Sequence, residues 1–146
     1  MKKLILYLVA LLVVAVGGYL LSTGMIPGIG GDRSILRTQS IRFFECLKFK
    51  EFTEAANFHS VEDRKDADIP NMIEDLFRIP PEYLDIQDIS VLFVEIDTSG
   101  DLAKTKTRCH VKELNSAEER NHEIILYWKR EGEDWNLKLR SSLERF

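Results

Sequence analysis

Hydrophobic and polar positions follow three different rhythms along the chain. From Leu4 to Leu21 every residue is apolar, aromatic or glycine, with no polar interruption, and the apolar stretch extends through Ile26. From Ser34 to Phe77 apolar residues return at helical spacing. Leu36, Phe43, Phe44 and Leu47 share one side of a first helix over Ser34 to Leu47, with Asp32 or Ser34 as its cap. "KEFTEAANFH" (Lys50 to His59) predicts a short second helix that buries Phe52, Ala55 and Ala56. Ile69, Met72, Ile73, Leu76 and Phe77 define a third, started by Pro70 and stopped by Pro80–Pro81. After Ile86 the rhythm becomes alternation. Four strands are predicted, over Ile86 to Asp97, Leu102 to Leu114, His122 to Arg130 and Trp135 to Ser142. Helices first and an antiparallel meander afterwards give an α+β fold, three helices covering one face of a four-stranded sheet.

Loop lengths fix an expected register. With "TSGD" and "EGED" as four-residue hairpin loops, Val94 faces Thr105, Leu92 faces Thr107, Trp128 faces Leu137 and Arg130 faces Trp135. The inner face then holds Ile86, Leu92, Val94, Ile96, Thr105, Thr107, Cys109, Val111, Ile124, Leu126, Trp128, Trp135, Leu137 and Leu139. Asp88 and Ser90 fall on the same side. The outer face receives Ile89, Val91, Phe93, Lys104, Lys106, Arg108, His110, Lys112, Ile125, Tyr127, Lys138 and Arg140.

The first rhythm sets the expected location. Lys2 and Lys3 precede an apolar run long enough to span a bilayer, which takes roughly 20 residues. A cleaved signal has a shorter core, about 7–15 residues, and "AVG" is a poor cleavage site. Residues 1–26 therefore read as a single-pass transmembrane anchor, or otherwise an uncleaved signal. Residues 27–32 form a glycine-rich tether, 33–142 the folded domain and 143–146 a tail. The lysines stay cytoplasmic, placing the domain outside the cytoplasm, as in a bacterial inner-membrane protein with a periplasmic domain.

Composition adds limits. With 45% hydrophobic and 30% charged residues the chain is globular rather than disordered. The net charge of −4 becomes about −6 without Lys2 and Lys3, which argues against broad nucleic-acid binding. Glu62, Asp63, Asp66 and Asp68 lack the glycine and distal glutamate of a calcium loop. Cys46 and Cys109 are too few for a structural zinc site. No metal or cofactor is expected.

The order of these segments resembles the nuclear-transport-factor-2-like (cystatin-like) superfamily. The resemblance covers residues 33–142 and rests on Phe52, Ala55 and Ala56 in the second helix, then Trp128, Gly132, Trp135 and Leu137 in "YWKREGEDWNLK". It implies a curved sheet wrapped around the helices as a cone. Members of that superfamily include isomerases and dehydratases with an acid–base pair inside the cone, binding and dimerisation modules, and an anchored assembly subunit of type IV secretion machinery.

Three sites follow as expectations. Asp88 is the one inner-face acid–base group and the weak candidate for catalysis. Cys46 and Cys109 either pair outside the cytoplasm or serve as small core residues; a disulfide would close a loop of about 60 residues, worth on the order of 4 kcal/mol. The outer face sets Val91, Phe93 and Tyr127 among Lys104, Lys106, Arg108, His110, Lys112, Lys138 and Arg140, which reads as a basic surround with an apolar centre. That face is either an ordinary solvated surface or the contact for a protein partner or a second copy. The leading expectation is a non-enzymatic anchored binding module, of which an accessory subunit of an envelope complex is one form. A small-molecule-binding or isomerase-like enzyme is the alternative.

Overall fold

The computed structural model describes residues 31–138. The expected transmembrane segment, most of the tether, Leu139, Arg140 and the tail lie outside these residues. Among the described residues no helix is long and apolar enough to cross a membrane. Three helices precede a meander: α1 (Gly31–Lys48), α2 (Phe52–Ala56), a 3-10 turn (Asp63–Asp66), α3 (Ile69–Phe77), then β1 (Leu84–Ile96), β2 (Leu102–Glu113), β3 (Glu119–Glu131) and β4 (Asp134–Leu137). The sheet is antiparallel throughout, in the order β1-β2-β3-β4. The fold is α+β.

One compact unit of the chain begins at Leu36, inside α1. Leu36, Ser40, Phe43, Phe44 and Leu47 are its buried stripe. The helix stops in a Schellman turn: Glu51 N–H donates to Cys46 O at 2.8 Å and Lys50 N–H to Leu47 O at 3.2 Å. The left-handed position, usually glycine, is Lys50 (φ 60°). Its ammonium group donates to the carbonyls of Pro81 (2.5 Å) and Leu84 (2.9 Å), so the side chain ties the helix end to the start of the sheet. In α3 the Asp68 carboxylate accepts from Asn71 N–H at 3.2 Å, with Pro70 in the first turn. Its expected stripe of Ile69, Met72, Ile73, Leu76 and Phe77 is buried throughout.

One core joins these stripes to the inner sheet face, where Ile86, Cys109, Val111, Ile124, Leu126, Trp128, Trp135 and Leu137 are buried. Polar groups within it form a directed chain. Trp128 Nε1–H donates to Thr105 Oγ1 (3.0 Å), and Ser40 Oγ lies 2.8 Å from Thr105 Oγ1. Ser40 spends its own hydrogen on the Leu36 carbonyl (2.8 Å), which can only accept, so Thr105 donates to Ser40. The side chains of Ser40, Thr105 and Trp128 thus link α1 to β2 and β3 within the core.

Hairpin register agrees with loop length at the β3–β4 turn, where Trp128 faces Leu137 and Arg130 faces Trp135. In β1 it departs from simple alternation. The pairing shifts between Ile86 and Asp88 and again between Val91 and Phe93. Each shift inserts one residue, as a β-bulge does, and reverses which face the following side chains occupy. The two reversals cancel outside the interval: Ile86 and Val94 sit inside as expected. Within it the faces are exchanged. Ile89 and Val91 face Cys109 and Thr107 on the inner side, while Asp88 and Ser90 face His110 and Arg108 on the outer side.

Candidate functional site

Among the described residues the helices pack on one face of the sheet, and no described element covers the opposite face. Five residues of β2 form its central column, each flanked by register partners on β1 and β3. Lys104 lies between Glu95 and Tyr127, Lys106 between Phe93 and Ile125, Arg108 between Ser90 and Glu123, His110 between Asp88 and Asn121, and Lys112 between Asp85 and Glu119. Their side chains meet across the strands. Lys104 Nζ is 3.0 Å from Glu95. Glu123 receives both Lys106 (2.5 Å) and Arg108 (2.7 Å), and these donors hold its carboxyl below the usual range. His110 reaches Asn121 Oδ1 at 3.0 Å and Glu119 at 3.3 Å.

This geometry revises the expected site in several respects. Four fixed cations in these rows meet five carboxylates, so the face is a neutralised ladder and not a basic patch. Val91 is 9% exposed and faces inward, so it leaves the surface. Leu92, expected inside, is 38% exposed at the bulge, beside Phe93 at 36%. Lys138 pairs with Asp63 (2.7 Å) and Glu131 (3.6 Å), which draws it to the connector before α3; Arg140 lies outside the described residues. Phe93, Lys104, Lys106, Arg108, His110, Lys112 and Tyr127 remain together. Ile125 and Glu123 join them, the first as an apolar neighbour and the second as the acid that organises the cations.

Asp88 does not enter the interior. The first bulge turns it to the outer face, where it is exposed opposite His110, so it is no base for a buried pocket. Both cysteines are free thiols. Cys109 is fully buried, and desolvation pushes its pKa up to about 12. Cys46 stands on the flank of α1, about 60° outside the stripe that faces the sheet, at 100° per residue. Among the described residues no group of three or more His, Cys, Asp or Glu side chains could hold a metal ion.

His110 lies on the outer face as expected, but His59 and His122, expected at a helix end and a strand start, turn inward. His59 is 1% exposed, because Leu137 N–H bonds Phe58 O at 2.7 Å and an isolated parallel bridge joins His59 to Leu137. Its Nδ1 is 3.0 Å from the Ala56 carbonyl, so Nδ1 carries the hydrogen and Nε2 presents a lone pair. Burial pulls its pKa below the ordinary 6.5. His122 faces Cys109 on the inner side, edge-on to Phe77 with ring centroids 5.6 Å apart; its pKa is also lowered, first by burial and then by Arg120.

His59 borders an open cleft of about 580 Å³ between α1, the end of α2 and β4. Gln39 and Arg42 come from α1, Glu54 and Phe58 from the α2 region, and Glu131, Asp134 and Trp135 from the β3–β4 hairpin. Gln39 and His59 line it, but Gln39 Oε1 and His59 Nε2 are themselves buried out of contact with solvent and have no hydrogen-bond partner.

No known protein family matches the sequence, and no characterised protein matches it.

Proposed function

We propose that the chain is a membrane-anchored, extracytoplasmic binding module without catalytic activity, which docks another protein on the open face of its sheet. One observation carries the reading. The central cations are satisfied by acids of the same face, so desolvating them against a partner leaves no unpaired charge, while Phe93, Ile125 and Tyr127 supply the apolar contact. The basic start and apolar run of residues 4–26 support the anchor and the orientation. The order of three helices and a closing tryptophan hairpin supports the resemblance to the nuclear-transport-factor-2-like superfamily, whose non-catalytic members serve as binding modules. An accessory role in an envelope complex fits this arrangement.

The Phe93→Ala, Tyr127→Ala double variant tests it. Removing two central aromatic contacts lowers association of the full chain, measured by cross-linking in native membranes, by roughly 30-fold or more. Tryptophan fluorescence checks that the fold survives. Unchanged cross-linking in a folded variant rejects the face as the docking surface.

A further inference from the structure

The outer face of the sheet is not uniform along its strands, and its charges separate into two halves. In the rows of Lys104, Lys106 and Arg108, three fixed cations meet two acids, Glu95 and Glu123, and every cation is paired. In the rows of His110 and Lys112, one fixed cation faces three acids, Asp85, Asp88 and Glu119. Among the described residues none of these three acids pairs with a lysine or arginine. Asp85 accepts from the Gln87 carboxamide, and Glu119 from His110 at 3.3 Å.

The net charge of the face hides this polarity. The centres of the two halves lie about five residues apart along β2, roughly 17 Å in an extended strand. The screening length at physiological ionic strength is about 8 Å, so the surplus cation of one half does not cancel the acids of the other. The sign is also independent of His110, because a proton on its imidazole still leaves the acids in excess. Apolar side chains border the same end. Leu114 N–H donates to the Tyr83 carbonyl (2.8 Å), one step beyond the Leu84–Glu113 pair, and Tyr83 and Leu114 are 41% and 55% exposed.

We infer that the partner presents a basic, arginine-bearing protein surface to this acidic end and an apolar one to Phe93, Ile125 and Tyr127. The inference rests on the binding role proposed for the face. Burying Asp85, Asp88 and Glu119 against a neutral or acidic surface strands three carboxylates with one lysine, whereas incoming guanidinium groups pair with them. Arginine fits better than lysine. Its planar fork bonds both oxygens of a carboxylate, and its flat face lies on an aromatic ring such as that of Tyr83. The same acids repel phosphate, so nucleic acid and an anionic lipid surface are poor occupants of this end.

Cross-linking of the full chain in native membranes tests this with two variants side by side. The Asp85→Asn, Asp88→Asn, Glu119→Gln triple variant keeps the shape of each side chain and removes its charge. It is expected to lower association roughly tenfold at low salt. The parent, and not the variant, loses association as salt rises from about 50 to 500 mM. Tryptophan fluorescence checks the fold. Where the triple variant does not fold, Asp88→Asn with Glu119→Gln, both at exposed positions, gives the same readings. Weakening by Phe93→Ala, Tyr127→Ala with the acid variant at the parent's level keeps the docking role and overturns the basic partner. Tighter association of the acid variant overturns it as well, by identifying an acidic partner. No weakening in either variant rejects the face itself, and the inference with it.

Discussion

Two threonines one turn of the pleat apart show how a single hydroxyl changes sign with its surroundings. Thr105 and Thr107 are both fully buried on the inner face of β2. Thr105 Oγ1 accepts from Trp128 and donates to Ser40, while Thr107 Oγ1 has no partner. Replacing Thr105 by valine orphans the indole N–H and costs about 2 kcal/mol. Replacing Thr107 by valine exchanges an unsatisfied polar atom for a methyl group of similar shape, and stabilises the fold by about 0.5–1 kcal/mol. Urea denaturation of the two variants checks the pair of signs. Equal destabilisation by both would show that shape, not hydrogen bonding, controls these sites. The sequence makes the inward direction of both residues readable by parity alone. It does not distinguish them, because the partner of Thr105 comes from Ser40, sixty-five positions earlier.

At the scale of elements, legibility follows how local the determining forces are. The stripe of α3 and its caps lie within one short segment, so spacing and Pro70 reveal them. The β3–β4 register is set by a four-residue loop and is likewise readable. Strand β1 is not. "ISVLFV" is apolar at nearly every position, so no polar residue marks which side faces water, and the bulges leave no trace in the pattern. That one ambiguity misplaced Asp88, Val91 and Leu92 together, and with them the expected base and part of the expected surface. The basic look of β2 misled for a related reason: Glu95, Glu119 and Glu123 neutralise it from other strands. The burial of His59 depends on a parallel bridge to β4, made across the whole fold.

Strand β1 also lies at the sheet edge, where exposed carbonyls invite pairing with another chain. Here α1 and the turn after it cover them with cations: Arg37 Nη1 donates to Val91 O (2.8 Å), Lys48 to Gln87 O (3.2 Å) and Lys50 to Leu84 O (2.9 Å). The Arg37→Ala, Lys48→Ala double variant is expected to associate through this edge on warming. Light scattering should rise at lower temperature than in the parent, with a loss of stability of about 1–2 kcal/mol. A variant that stays monodisperse up to its unfolding transition would show that the bulges alone protect the strand.

For the molecule as a whole, these placements fix how stability depends on pH. His59 and His122 are held below 6.5 in the fold, both chiefly by burial. The unfolded chain therefore binds more protons than the native state once pH falls below about 6.5, and stability declines with acidification there. For His59 burial outweighs the Ala56 hydrogen bond and the Asp63 charge, which raise the pKa, while Arg64 and Lys138 add to the lowering. The carboxyls of Asp63 and Glu123 are depressed by their cationic partners. Their contribution is present above their ordinary pKa and is lost only as pH falls further, so it occupies a separate window below about pH 4. Each buried histidine contributes a slope of at most about 1.4 kcal/mol per pH unit. The His59→Gln variant should be less stable at neutral pH, yet its stability should fall less steeply between about pH 7.5 and 5.5. Urea midpoints across that interval measure the two slopes. Parallel slopes in parent and variant would mean that His59 titrates in the folded state as it does in the unfolded chain.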